Sequence, residues 1–234
     1  MSHARLTAPR SSQHSSAERP ADAPAEPSAD APAEPSAGPA QDPGAAASGA
    51  ALGRRLFDAR TVLVFGEVSS ALAESVSAQL LALAAASRAP IRVLLHSQGG
   101  HVESGDTIFD VLRFIEPEVT IVGTGWVASA GALIYSAVPR ERRLALPNTR
   151  FLLHPPSGGF GGRASDVEIE AQQILAMRDR LHRIFAEATG QPLERIARDT
   201  ERNHWMSAEE ARAYGLVGRI VSDPGALSQR HQPA

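Results

Sequence analysis

The feature that most constrains the fold of this 234-residue chain is an alternation of strand-like and helix-like segments. Runs rich in Val, Ile and Leu, typical of buried strands, occupy residues 61–65, 91–95 and 119–123. Residues 71–86 and about 103–115 carry apolar side chains at helical spacing. This order is typical of parallel strands joined by right-handed crossovers, so the sequence predicts an α/β fold with a parallel sheet.

Two segments lie where strands of such a sheet end, which is where ligands bind in parallel α/β proteins. Gly99 and Gly100 follow the second predicted strand, and Ser129 lies between the third strand and an apolar helix predicted over residues 132–137. A serine in this place is either an N-cap or a nucleophile, because the unpaired N–H groups of the first helical turn can hold a developing negative charge. The segment alone leaves both interpretations open.

The middle of the chain is predicted to contain a long helix after a glycine-rich segment, residues 157–162. Ser165 and Glu168 form a capping-box pattern at the helix start, and the helix continues to about Ala188. At roughly 35 Å it is either an ordinary core helix or a helix that protrudes, together with the glycine segment, and packs on another subunit. Two short strands are predicted before it, over residues 144–146 and 151–154.

The end of the chain carries a second capping box, formed by Ser207 and Glu210. It predicts a short helix that ends near Gly215, where glycine can adopt the left-handed cap conformation. A last strand is predicted over residues 216–221, and residues 223–234 are expected to form a flexible C-terminal tail.

The start of the chain differs in composition from the rest. Up to residue 56 there is no Ile, Val, Phe, Tyr or Trp, and the segment ADAPAEPS occurs twice in succession. Such a composition cannot bury enough apolar surface to offset the entropy of ordering. We therefore predict a disordered Pro/Ala/Ser-rich tail over residues 1–55 and one folded domain over residues 56–222.

The absence of two residue types excludes whole classes of chemistry. Without cysteine there are no disulfides, thiol nucleophiles or thiolate metal sites, and without lysine there is no Schiff-base lysine, phosphate-loop lysine or serine–lysine dyad. The formal charge of −3 and the lack of a membrane-length apolar run give no reason to expect nucleic acid or membrane as partner. We expect a cytoplasmic protein that uses no metal or cofactor.

A serine nucleophile needs a general base, and the best-placed histidine is His154. It ends a predicted apolar strand and is followed by two prolines and a glycine segment, so its imidazole is expected at the carboxyl end of the sheet. The other histidines outside the tails and the long helix are His96, His101 and His204.

Seven short motifs follow one another between residues 125 and 211. They are GWVASAG at 125–131, ALPN at 145–148, LHPP at 153–156, GGF at 158–160, TGQPL at 189–193, RDTER at 198–202 and MSAEEA at 206–211. Together with residues 166–183 they resemble the proteolytic subunit of the Clp protease. The resemblance covers residues 56–222.

The resemblance implies a crotonase-like fold of repeated ββα units. It also implies a self-compartmentalising serine endopeptidase, assembled as two stacked heptameric rings of this or paralogous subunits. Such a protease hydrolyses unfolded polypeptides that an ATP-dependent AAA+ unfoldase of the Clp family delivers.

Position by position, the resemblance makes Ser129 the nucleophile and His154 the base. It assigns the oxyanion hole to the N–H groups of Gly100 and Ala130, and a ring–ring contact to Arg202. The residue types agree, since Gly100 offers unhindered backbone and Ala130 lies at a predicted helix start.

Three departures from the family pattern are visible. The third triad position, Asp in the family, is Asn203, whose carbonyl oxygen can orient the imidazole but brings no charge, so weaker activity is one expectation. The loop that usually reads Asn-Ser-Pro-Gly-Gly has His96, Ser97 and Gln98 before the two glycines. The N-terminal pore segment is replaced by the tail, which leaves docking of the unfoldase open.

Two alternatives to an active peptidase are compatible with these residues. One is a weakly active or inactive structural subunit of a mixed ring, which Asn203 and the altered N-terminus would allow. The other is a small-molecule hydrolase or acyl-CoA hydratase of the same fold, which the spacing of Ser129 and His154 disfavours.

Overall fold

The computed structural model describes residues 43–156 and 164–225, and the statements below refer to these ranges. The predicted glycine segment over residues 157–162 and the capping side chain of Ser165 lie outside what it describes. The elements in chain order are α1 Pro43–Asp58, β1 Thr61–Val68, α2 Ser70–Ala86, β2 Ile91–Gly100, α3 Val102–Phe114, β3 Val119–Ala128, α4 Ala130–Tyr135, β4 Arg143–Ala145, β5 Arg150–Leu153, α5 Ala164–Thr189, α6 Leu193–Asp199, β6 His204–Ser207, α7 Ala208–Tyr214 and β7 Arg219–Ile220.

One sheet holds all seven described strands. Its parallel path runs β1-β2-β3-β4-β7, and β5 lies beside the C-terminal part of β3, also in parallel. β6 pairs with β5 in the antiparallel direction. The predicted parallel α/β sheet is therefore confirmed.

Apolar helix faces cover the sheet, and α4 lies deepest. All six residues of α4 are buried, including Tyr135, whose hydroxyl donates to the Leu144 carbonyl at 2.8 Å. Helix α2 buries Val76, Leu80 and Leu83 in the same core. Because α4 is enclosed, the residue at its start is held firmly in place.

Helix α5 buries only its C-terminal part. Leu181 and Phe185 belong to the core, whereas Val167, Ile169 and Leu175 are 36%, 57% and 48% exposed. The capping box of Ser207 and Glu210 is formed as predicted, with Glu210 N–H donating to Ser207 Oγ. No helix in the described ranges is long and apolar enough to cross a membrane.

Several elements differ from the sequence prediction, among them α6, which was not predicted, and β2 and β3, which extend beyond their predicted ends. Helix α1 begins at Pro43, inside the range predicted as tail, because an alanine-rich segment favours helix even without large apolar residues. Strand β7 has two residues instead of six, since Leu216 and Val217 are buried in the turn that follows α7. Strand β6 was not predicted at all.

Candidate active site

Ser129 occupies the N-cap position of α4, but its hydroxyl makes no capping hydrogen bond. Its φ of 57° and ψ of −123° are unusual, because a non-glycine residue at positive φ carries backbone strain. The backbone fixes this conformation: Ser129 N–H donates to Leu152 O at 3.0 Å, and Ser129 O accepts from Ala132 N–H at 2.9 Å. Of the two interpretations that the sequence left open, this geometry argues against the one in which the Ser129 side chain only caps the helix.

Gly99 lies directly against Ser129. A Cβ atom added to Gly99 would be 2.5 Å from Ser129 Cβ and 3.0 Å from Ser129 Oγ. The next residue, Gly100, is equally restricted, since an added Cβ would lie 2.4 Å from Val68 O. The glycine pair therefore brings backbone to the serine, at a place where any side chain would collide.

Strand registers bring the other two predicted site residues to the same end of the sheet. Ala128 pairs with Leu152 across β3 and β5, and Leu153 pairs with His204 across β5 and β6. One position beyond these pairs are Ser129 on the first strand, His154 on the second and Asn203 on the third. Three hydrogen-bonded neighbouring strands thus supply the three residues.

His154 is half-buried, and its surroundings contribute no charge. Burial lowers the pKa of His154 below its ordinary value, and no charged neighbour opposes this effect. Among the described residues none forms an ion pair or hydrogen bond with its imidazole. A neutral imidazole at neutral pH is the state that a general base requires.

Two carboxylates, those of Asp199 and Glu201, lie shortly before Asn203 in the sequence, and that of Asp199 is already hydrogen-bonded. Its Oδ2 accepts from Tyr214 Oη at 3.0 Å and contacts Arg195 Nε at 3.3 Å. These interactions hold the pKa of Asp199 below its usual value although desolvation opposes them. Asn203 and the preceding Arg202 are exposed.

The other candidate histidines contact groups other than Ser129. His101 follows Gly100, with Nδ1 2.9 Å from Ser104 Oγ and Nε2 3.0 Å from Glu103 Oε2. His204 stacks at 5.3 Å on the Tyr214 ring. His96 packs against residues 124–126, the segment that leads to Ser129. No group of three or more acidic or imidazole side chains in the described ranges could hold a metal ion.

Comparison with known sequences shows which family the chain resembles. The Clp protease family profile matches residues 45–224. ATP-dependent Clp protease proteolytic subunit 3 of Rhizobium etli is 62% identical over 167 residues, which is 71% of this chain and 86% of the relative. Proteolytic subunit 2 of Pseudomonas aeruginosa is 55% identical over 175 residues, 75% of this chain and 87% of the relative.

Solved structures give the same result. ClpP1 from Listeria monocytogenes is 50% identical and has a TM-score of 0.69, and a point mutant of ClpP1 from the same organism, also 50% identical, has a TM-score of 0.71. Each comparison covers 76% of this chain and 99% of the solved chain.

A parallel α/β protein with a strained serine between a strand and a buried helix has the features of a serine hydrolase. The chain belongs to the Clp protease family. The predicted crotonase-like fold and the predicted activity class, a Clp-type serine endopeptidase, are confirmed.

Proposed function

We propose that this chain cuts peptide bonds of unfolded polypeptides with Ser129 as nucleophile and His154 as general base. The observation that carries the proposal is the backbone of Ser129, which is held at positive φ with its hydroxyl unused for capping. Strain of this kind persists only where the surrounding structure imposes it, and it is concentrated at functional sites.

The reaction follows from the positions of these groups. His154 takes the proton of the Ser129 hydroxyl as the oxygen attacks the carbonyl carbon, and later gives it to the leaving amine. The negative charge of the tetrahedral intermediate lies at the start of α4, where the Ala130 N–H has no intrahelical acceptor. The Gly100 N–H is the second proposed donor, supported by the contact between its neighbour Gly99 and Ser129.

Asn203 is the proposed third member of the site. Its side-chain oxygen can accept the second imidazole N–H of His154 and so fix the tautomer that serves as base. An amide adds no negative charge to stabilise the imidazolium. We therefore expect a competent site whose turnover is lower than a carboxylate would give.

Assembly is the second part of the proposal. The N-terminal part of α5 presents exposed apolar side chains that its own subunit does not cover, as expected of a helix that packs on a second ring. Arg202, exposed beside Asn203, is the proposed ring–ring contact, which would couple assembly to the site. We propose stacked heptameric rings, a Clp-family AAA+ unfoldase as partner, and action in the cytoplasm.

A fluorophosphonate probe tests the chemistry directly, because it labels only an activated serine. We expect the purified chain to be labelled, Ser129→Ala to be unlabelled, and His154→Gln to be labelled at least about a hundredfold more slowly. Ser70→Ala, at an exposed position of α2, is the matched control and should react like the parent. Labelling that survives Ser129→Ala would contradict the proposal, and no labelling of any form would favour a structural subunit.

A further inference from the structure

Strand β3 contains a large bulge just before the nucleophile. Leu95 pairs with Gly123 and Ser97 pairs with Val127 across β2 and β3. Three residues of β3, from Thr124 to Trp126, therefore lie opposite one residue of β2, His96. Bulges redirect a strand and re-aim the side chains that follow.

The imidazole of His96 fills this bulge. Its Nδ1 lies 3.1 Å from Trp126 N and 3.2 Å from Thr124 O. Gly125, between these two residues, has a φ of 58°, and a Cβ there would lie 2.5 Å from His96 Nδ1. The ring thus packs directly on the Gly125 backbone.

A single ring nitrogen cannot satisfy both neighbours at once. Without a proton, Nδ1 accepts the Trp126 N–H, and with a proton it donates to Thr124 O. Nδ1 therefore binds the residue before Gly125 when it carries a proton and the residue after Gly125 when it does not. Glycine has the backbone freedom that this bulge requires.

The direction of β3 after the bulge decides where the nucleophile lies. After the bulge β3 keeps its pairing with β2 but exchanges β4 for β5 as its other neighbour, so that Val127 lies opposite Ser97 and Phe151. Two residues later the Ser129 N–H donates to Leu152 O. A change at Trp126 is therefore transmitted through three residues of paired backbone to Ser129.

We propose that His96 is a positioning residue for Ser129, whose unprotonated Nδ1 accepts the Trp126 N–H and holds the bulge that aims β3 at the active site. The role rests on Ser129 being the nucleophile.

The charged groups near His96 are few. β1 contributes the Phe65 ring, 5.7 Å away between centroids, and Glu67 two residues further along. β2 carries Arg92, and the bulge itself has no ionisable side chain, although Trp126 pairs with Arg150 of β5. Among the described residues His96 has no ion-pair partner, so the two backbone groups of the bulge are the polar contacts of its Nδ1.

Fluorescence of Trp126 tests the hydrogen bond without relying on catalysis. The chain has two tryptophans, so Trp205→Phe leaves Trp126 as the sole reporter. In the His96→Phe variant of this background, which lacks the acceptor, the emission of Trp126 should differ from that of Trp205→Phe alone. His96→Asn should restore the original emission, because asparagine Oδ1 takes the place of Nδ1 as acceptor. Emission that His96→Phe leaves unchanged, or that His96→Asn alters as much as His96→Phe does, overturns the proposal.

The link to the active site is tested by the rate of fluorophosphonate labelling. His96→Phe keeps a ring but lacks the acceptor, so labelling should be about tenfold slower or more. His96→Asn, which keeps an acceptor, should react much faster than His96→Phe. Equal rates for His96→Phe and the parent chain, or equally slow labelling of His96→Asn and His96→Phe, overturn the proposal. If Ser129→Ala is still labelled, the proposed function fails, whereas the Trp126 emission still decides whether His96 holds the bulge.

Discussion

Replacing Asn203 by aspartate should increase peptidase turnover. The register of β5 and β6 places Asn203 opposite His154, one position beyond the Leu153–His204 pair. A carboxylate there would raise the pKa of His154, which burial alone now holds low. It would also stabilise the imidazolium that forms as Ser129 loses its proton.

The gain can be estimated from the strand geometry. Side chains opposite each other in an antiparallel pair have Cβ atoms about 5 Å apart. Two unit charges at about 5 Å attract by roughly 3 kcal/mol at an effective dielectric constant of about 20. Asn203 is exposed, so water reduces this to about 1–2 kcal/mol, which corresponds to an increase of about 5- to 30-fold in turnover.

The pH dependence of hydrolysis should show that the pKa of His154 has risen. The base must be neutral, so the low pKa of His154 keeps the parent chain active below the pH at which an ordinary histidine would be protonated. In Asn203→Asp the acid limb should move to higher pH, and the gain should be complete only above it. Hydrolysis of a short fluorogenic peptide from pH 5 to 9 measures both effects, with Asn203→Asp in a Ser129→Ala background as the inactive control.

An unchanged rate in Asn203→Asp would refute this reasoning if Asp199→Asn or Glu201→Gln abolished activity, because a native carboxylate would then hold His154. The structure argues against Asp199 in that role, since its oxygens already bind Tyr214 and Arg195.

Three further changes test other parts of the molecule. Arg202→Ala should shift the assembled particle to smaller species on a sizing column while leaving subunit stability within about 0.5 kcal/mol; an intact large particle would show that Arg202 does not join rings. Gly99→Ala, at φ 100°, would place a Cβ 2.5 Å from that of the nucleophile and should reduce labelling at least about a hundredfold, whereas Gly53→Ala, in open space, should not. Deleting residues 1–42 should change the melting temperature by no more than about 4 °C, a shift worth about 1–2 kcal/mol in a domain of this size, and a larger fall would show that this segment stabilises the core; deleting residues 1–58 also removes α1 and should lower it further.

Local patterns were sufficient to predict most of the elements on the parallel path of the sheet. Strands β1, β2 and β3 begin where their β-branched runs begin, and α5 ends within one residue of the prediction because Gly190 and Pro192 end it. The Ser207–Glu210 capping box was readable because both partners lie within one turn. Ser129 and His154 were recognisable as residues at strand ends, and their roles as site residues remain predictions.

What the sequence could not predict depends on contacts between distant segments. The four residues of β6 have no strand pattern of their own and become a strand only by pairing with β5. The positive φ of Ser129 is imposed by Leu152 and by α4, not by the serine. The bulge at His96 arises from the register of two strands, so no property of the histidine alone would have revealed it.

The pairing of β5 with β3 on one side and β6 on the other also controls when a newly made chain can act. Ser129 is synthesised long before His204, so β5 lacks one neighbour while the C-terminal part is still inside the ribosome. The three site residues can therefore come together only after the ribosome has released nearly the whole chain. A nascent chain that still lacks β6 should therefore be inactive, although Ser129 and His154, the proposed nucleophile and base, have already been made.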